Sequence, residues 1–191
     1  KMNKIRKFLL IILFSLIQAQ NVDMYLSLLE KGNTKDVRET LPEIISKFPK
    51  DPGVLYLKSL LTEDGNSSIK QFKNIIKNYP ESKYAPDSAV KLGEYFYAKG
   101  LYTQSANILK NIPPKYPRYP DMQRLTNLMI SSFNAIGESD SARYYGMLIK
   151  SMFPMLETNI VENNPKLSQV FDFKKKLKVI GPYVVQIGAF S

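Results

Sequence analysis

The stretch that decides the fold runs from Leu92 to Pro117 and reads LGEYFYAKGLYTQSANILKNIPPKYP. Behind the start signal Pro86-Asp87, apolar residues recur at helical spacing as far as Gly100, where the first helix should end. A second helix follows at once. Its apolar positions are Tyr102, Ala106, Leu109 and Ile112. The stretch therefore predicts a helical hairpin that closes at Tyr116-Pro117.

An aromatic residue followed by proline occurs four times along the chain. The pairs are Phe48-Pro49, Tyr79-Pro80, Tyr116-Pro117 and Phe153-Pro154, spaced by 31, 37 and 37 residues. Proline stops a helix because it lacks the amide donor and clashes with the preceding turn, and the aromatic residue can pack beneath that turn. Each pair therefore marks the end of one repeated unit.

Helical spacing on both sides of a turn is also present in the other three units. In the fourth unit the positions are Leu125, Leu128, Met129, Phe133 and Gly137, then Ala142, Tyr145, Leu148, Ile149 and Met152. In the first, Met24, Tyr25, Leu28 and Leu29 should face Val37, Leu41, Ile44 and Ile45; in the second, Leu55, Leu57, Leu60 and Leu61 should face Ile69, Phe72, Ile75 and Ile76. Residues 21–154 are thus expected to be all-α, with about eight antiparallel helices.

The third unit resembles the tetratricopeptide repeat. Its matching positions are the pair Leu92-Gly93, the first-helix aromatic Phe96, the turn residue Gly100, Tyr102, the small residue Ser105, Leu109 and the closing Pro117. The other units match fewer positions, and Pro42 falls inside the second helix of the first unit. The resemblance covers residues 21–154 and implies a right-handed solenoid of hairpins; a generic helical hairpin array is the alternative.

Composition argues against an enzyme. The chain has neither Cys nor His, so thiol nucleophiles, imidazole acid-base chemistry and the usual zinc sites are excluded, and we expect no catalytic residue, metal or cofactor. Two neighbouring acids, Glu138 and Asp140, could suit glycan cleavage. Because they fall at a predicted helix start, capping explains them better.

The N-terminus has the order of a secretory signal. Lys4, Arg6 and Lys7 precede the apolar run from Phe8 to Phe14, which is too short to span a bilayer comfortably. Cleavage after Ala19 would remove residues 1–19, with four basic residues and no acid, and lower the formal charge from +10 to +6. An uncleaved anchor is the alternative. We expect a protein of the periplasm or bacterial cell envelope that meets a membrane only through this segment.

A tetratricopeptide array implies a protein or peptide partner, bound on the concave surface that successive first helices form. Groove candidates are polar or aromatic residues beside the apolar stripe of a first helix, namely Tyr56, Tyr95, Arg124 and Asn127. A tyrosine at helical spacing is more often a core residue, so this alternative applies to Tyr56 and Tyr95.

After Pro154 the helical pattern ends. Residues 155–180 are polar and asparagine-rich, carry four lysines between 174 and 178, and are expected to be a linker. The lysines indicate a solvated segment or, alternatively, a contact to an anionic envelope surface. Nucleic acid is not an expected partner, because an exported protein rarely meets it.

The last eleven residues, GPYVVQIGAFS from Gly181 to Ser191, alternate as a β-strand does. Tyr183 to Ser191 resemble the first strand of a SPOR (sporulation-related) domain, and an unrelated apolar strand is the alternative. The resemblance implies the start of a truncated βαββαβ domain that binds peptidoglycan glycan strands lacking their stem peptides. Gln186, Phe190 and Ser191 would belong to its glycan-binding site, incomplete here, with an amide for hydroxyl groups and a ring for a sugar face.

Together these resemblances imply a bacterial envelope adaptor. The repeats would bind a protein partner and a complete SPOR domain would bind peptidoglycan, often at the division site. The alternative is a periplasmic scaffold for outer-membrane biogenesis, since short tetratricopeptide arrays behind signal peptides also resemble assembly factors of that membrane.

Overall fold

The computed structural model describes residues 22–157 and the backbone of two short strands, Leu177–Val179 and Val185–Ile187. The predictions for the signal segment, for most of the linker including Lys174 to Lys176, and for Phe190 and Ser191 lie outside the described residues. Residues 22–157 are helical with short connections, so the expected all-α class is confirmed for this part of the chain.

Within residues 22–157, eight helices have eight residues or more, as the repeat pattern predicts. In chain order the helices are α1 (residues 22–30), α2 (Thr34–Lys47), α3 (Pro52–Leu61), α4 (Gly65–Asn78), α5 (Tyr84–Ala98), α6 (Tyr102–Leu109), the single turn α7 (Ile112–Lys115), α8 (Met122–Ala135) and α9 (Ser139–Met152). The chain divides into two compact structural units between Ser88 and Ala89, within α5. From here on, the first and second units are these two structural units and not the repeats of the sequence.

Three hairpins turn on a glycine with a left-handed backbone. Gly32, Gly100 and Gly137 have φ values of 85°, 72° and 77°, a region that residues with a Cβ atom rarely adopt. After Gly100, the Leu101 N–H donates to the Phe96 carbonyl at 2.8 Å and the Gly100 N–H donates to the Tyr97 carbonyl at 3.0 Å. The same pair of bonds follows Gly32 and Gly137, so the three turns are Schellman motifs that satisfy the last carbonyls of a helix.

The four aromatic-proline pairs share one geometry. Each aromatic residue is the C-cap of a helix, with φ between −129° and −135°, and its N–H donates to an isoleucine carbonyl four residues earlier. Its own carbonyl then accepts from the N–H three residues later, at 3.0–3.3 Å, which closes a turn with proline in second position. The helix ends predicted at these pairs are confirmed, and the proline contributes by disfavouring the helical conformation of the aromatic residue before it.

Aspartate side chains cap three helices at the N-terminus. The Asp51 carboxylate accepts from the Gly53 and Val54 N–H groups at 2.9 and 3.0 Å, and Pro52 occupies the first position of α3. Asp64 and Asp121 cap α4 and α8 in the same way. These contacts satisfy amide groups that have no partner inside their own helix.

The core of the first unit lies around Val37 and Leu57, which are fully buried. Partly buried residues pack against this cluster, namely Tyr25, Leu26, Leu28, Leu29, Leu41 and Ile44, and all of them except Leu26 were predicted. Met24 was also expected there, but 49% of its surface is exposed. The helix α2 continues through Pro42, so this residue does not end it.

In the second unit, α6 and α9 both pack against α8, and a glycine brings α5 close to α6. A Cβ atom on Gly93 would lie 2.6 Å from Leu109 Cδ2. Ser105 Oγ donates to the Gly93 carbonyl at 2.8 Å, and Ser132 Oγ donates to Ser105 Oγ at 2.9 Å. The expected close approach at Gly93, with a small residue at Ser105, is therefore present in the structure.

Two details of the third hairpin differ from the prediction. The helix α5 begins at Tyr84, ahead of Pro86, which is tolerated because a first-turn proline needs no intrahelical donor. The second helix ends at Leu109 and does not continue to Ile112. A continuous helix would bring the Pro113 ring against the Leu109 carbonyl, so the chain breaks and α7 starts anew at Ile112.

The two short strands form an antiparallel pair in which Lys178 is opposite Gln186. The sequence predicts only the second of these strands, within Gly181 to Ser191, and it predicts no partner strand. Residues 177–179, which form the first strand, were assigned to the linker. Pairing satisfies backbone groups that a lone strand would leave without partners, and the sequence between the strands contains Gly181-Pro182, which favours a turn.

A candidate partner-binding surface on α5 and α8

Tyr56, the first of the predicted groove residues, lies in the core of the first unit with 7% of its surface exposed. Its ring stacks on Tyr84 with centroids 5.4 Å apart and packs against Phe72 at 5.8 Å. This burial leaves little of Tyr56 for a partner. Tyr56 is therefore not included in the surface described below.

Tyr84 is held by contacts to two other helices of the first unit, α1 and α3. Its hydroxyl donates to Asp23 Oδ1 at 3.2 Å, while Lys83 Nζ lies 2.7 Å from the same carboxylate. A Cβ atom on Gly53 would lie 2.6 Å from the Tyr84 ring. Burial first, then the charge and hydrogen bond of Asp23, raise the pKa of Tyr84 above the ordinary phenol value.

Charged residues connect the first helices of the third and fourth hairpins. Glu94 on α5 forms an ion pair with Arg124 on α8, and Lys91 Nζ lies 3.1 Å from the same carboxylate. The Glu94 side chain is 24% exposed, whereas that of Arg124 is 56% exposed. Arg124 is therefore oriented by a half-buried acid while part of its guanidinium remains open to solvent.

Tyr95 follows Glu94 on α5 and is half-buried. Its ring meets Phe96 edge to face at 6.1 Å, and Lys99 Nζ lies 5.8 Å from its centroid. The contacts with Phe96 and Lys99 favour one orientation of the Tyr95 ring. It can offer its remaining surface to a partner at little entropic cost.

Asn127 is exposed on α8, one turn beyond Arg124. Its Oδ1 accepts from Gln123 Nε2 at 3.1 Å. The Gln123 amide also binds the backbone of Glu157: its Oε1 accepts from the Glu157 N–H at 2.8 Å, and its Nε2 donates to the Glu157 carbonyl. One side-chain amide thus binds both the N–H and the carbonyl of a single residue.

We call these side chains the α5–α8 surface: Lys91, Glu94, Tyr95, Gln123, Arg124 and Asn127. Tyr95, Arg124 and Asn127 are sequence-predicted groove residues, whereas Lys91, Glu94 and Gln123 were missed. The polar pair Gln123 and Asn127, four residues apart, could have indicated the Gln123 contact. The surface carries both charges, amide donors and acceptors, and an aromatic face, which suits binding of a polypeptide.

A cleft of about 220 Å³ in the first unit is a weaker candidate for a binding site than the α5–α8 surface. Its lining includes the ion pair between Lys47 and Glu43, with Nζ 2.6 Å from Oε1. The hydrogen bond from Lys47, aided by its charge, lowers the pKa of the Glu43 carboxyl. This is an exposed pair within one helix, of the kind that contributes little to stability or recognition.

The predicted glycan site is described only in part. Gln186 lies in the middle of the strand Val185–Ile187, and its backbone pairs with Lys178. Phe190 and Ser191 lie outside the described residues.

No helix in the described part of the chain is both long and apolar enough to cross a membrane. Among the same residues, no cluster of three or more acidic, His or Cys side chains could hold a metal ion. Comparison with known proteins found no matching family model, curated protein or solved structure. The tetratricopeptide and SPOR resemblances therefore rest on the motifs in the sequence.

Proposed function

We propose that this protein is a non-enzymatic adaptor of the bacterial envelope that binds a segment of a partner protein on the α5–α8 surface. The observation that carries the proposal is the ion pair between Glu94 and Arg124, which connects the first helices α5 and α8. Beside this pair, Tyr95 and Asn127 present an aromatic face and an amide. Tyrosine and arginine side chains are typical of the residues that dominate binding energy in protein interfaces.

The second half of the proposal concerns peptidoglycan. The motif from Tyr183 to Ser191 supports a SPOR domain, and the N-terminal segment supports export, which would bring the chain to peptidoglycan. The adaptor would then hold its protein partner at denuded glycan strands, in keeping with a role in cell division.

The proposed binding of a protein partner is tested by immobilising the chain and capturing proteins from an envelope extract of the producing bacterium. Asn127→Arg places a long charged side chain on the α5–α8 surface and should abolish capture of a discrete partner. Asn107→Arg is the matched control, because Asn107 is equally exposed but lies on the second helix α6. Equal capture by the two variants would show that a partner binds elsewhere, and the proposed surface would have to be given up.

A further inference from the structure

Hydrogen bonds to the main chain of residues 156 and 157 hold this segment on α8 and α9, and the Leu156 side chain is half-buried. After α9 the turn from Phe153 to Leu156 is closed by a 3.1 Å bond from the Leu156 N–H to the Phe153 carbonyl. The Leu156 carbonyl then accepts from Lys150 Nζ, and Glu157 pairs with the Gln123 amide. None of these contacts uses the side chain of Leu156 or Glu157.

The Gln123 amide binds the N–H and the carbonyl of one residue, as the edge strand of a β-sheet does with a residue of an added strand. In an extended residue the N–H and carbonyl point to the same side, so one group with a donor and an acceptor can bind both. Because the contact involves only backbone groups of the bound residue, it does not depend on the sequence of the bound segment. Asn127 Oδ1 orients the Gln123 amide by accepting its second N–H.

The contact is also open to exchange. Glu157 is exposed, and so is Met155, with 94% of its surface accessible. Met155 and Glu157 therefore bury little apolar area, and three hydrogen bonds, one of them from the Lys150 ammonium, hold Leu156 and Glu157. A competing extended segment that also contacted Tyr95 or Arg124 would gain interactions that residues 155–157 do not make.

We propose that the amide of Gln123 is a main-chain recognition site, that the chain's own Glu157 occupies it, and that an extended segment of the partner protein binds by displacing Glu157. This inference rests on the proposed function, which it deepens by naming the kind of partner and an autoinhibitory contact. The partner is recognised as an extended backbone with a free N–H and carbonyl on one edge.

A proline substitution at 157 separates the backbone contact from the side chain. Glu157→Pro removes the N–H that donates to Gln123, whereas Glu157→Ala keeps it. The probe is a fluorescently labelled synthetic peptide with the sequence of residues 153–160, FPMLETNI. The same peptide carrying Glu157→Pro is the control probe, since it cannot donate the hydrogen bond.

Fluorescence anisotropy should show that the Glu157→Pro chain binds the first peptide about tenfold more tightly than the unmodified chain, because the competing intramolecular bonds are weakened. The Glu157→Ala chain should bind like the unmodified one, and adding Gln123→Ala to Glu157→Pro should remove the gain. Equal affinities for all chains, or equal binding of the control peptide, would overturn the proposal.

Amide hydrogen exchange gives a second measurement that does not depend on the proline variant. In the unmodified chain the Glu157 amide should exchange several-fold more slowly than in Gln123→Ala, with the rates in α6 unchanged. Equal exchange of Glu157 in both would exclude the contact. If partner capture still depends on Asn127 while the peptide and exchange results are negative, the proposed function stands and this inference alone fails.

Discussion

Substitution of Gly93 by alanine tests how the second unit is packed. A Cβ atom at this position would lie 2.6 Å from Leu109 Cδ2 and 2.8 Å from its Cγ, and Leu109 is fully buried. The Leu109 side chain must therefore shift within the core, and overpacking of this kind costs about 1–3 kcal/mol. Movement of α5 would also stretch the bond from Ser105 Oγ to the Gly93 carbonyl, which contributes about 1 kcal/mol.

One term opposes this loss. Alanine is favoured over glycine inside a helix by up to about 1 kcal/mol. The net expectation is that Gly93→Ala lowers the free energy of unfolding by about 1–3 kcal/mol, measured by urea denaturation followed by circular dichroism.

A double-mutant cycle with Leu109→Ala identifies the cause. Leu109→Ala alone should cost about 2–5 kcal/mol because it leaves a cavity. In the double variant the new methyl group fills part of that cavity, so the combined loss should be smaller than the sum by at least about 1 kcal/mol. Additive losses within about 0.5 kcal/mol would refute the close approach of α5 and α6.

Three further outcomes are expected. Gly100→Ala should cost about 1 kcal/mol through its backbone alone, since φ is 72° and nothing lies within 4 Å of the added carbon; Leu109→Ala should not relieve this loss in urea denaturation. Tyr84 keeps its proton in the folded chain at pH values where the unfolded chain loses it. Its contribution to the free energy of unfolding is therefore complete below about pH 10 and declines as the pH rises further. Tyr84→Phe should reduce this decline, measured by urea denaturation between pH 8 and 11. The 191-residue chain should sediment weakly with amidase-treated sacculi, and a chain extended beyond Ser191 by a complete SPOR domain should bind them. Gln186→Ala should weaken this binding, and salt should change it little. Equal sedimentation with and without the extension would contradict the SPOR assignment.

The hairpins were predictable because their signals are local. Gly100 is needed for a left-handed turn, and the proline of each aromatic-proline pair disfavours the helical conformation of the aromatic residue before it, so both signals act on the backbone without reference to distant residues. The break after Leu109 is equally local. It could have been read from Pro113, whose ring conflicts with the carbonyl four residues earlier.

The surface was only partly predictable because its contacts join residues far apart in sequence. The pairing of Glu94 with Arg124, and of Gln123 with Glu157, depends on how the hairpins of the second unit pack. Periodicity places Tyr56 beside an apolar stripe, but it does not reveal that Tyr84 and Phe72 cover its ring. Such burial is decided by tertiary packing.

The most direct test of the adaptor is a contact made in the cell. A photoactivatable benzoyl-phenylalanine placed at Asn127 should, on illumination of the producing bacterium, give one discrete crosslinked product in the envelope fraction. The same residue at Asn107 on α6 should not, since that helix is outside the α5–α8 surface. Crosslinking at Asn107 alone, or at neither position, would contradict the claim that α5 and α8 bind the partner.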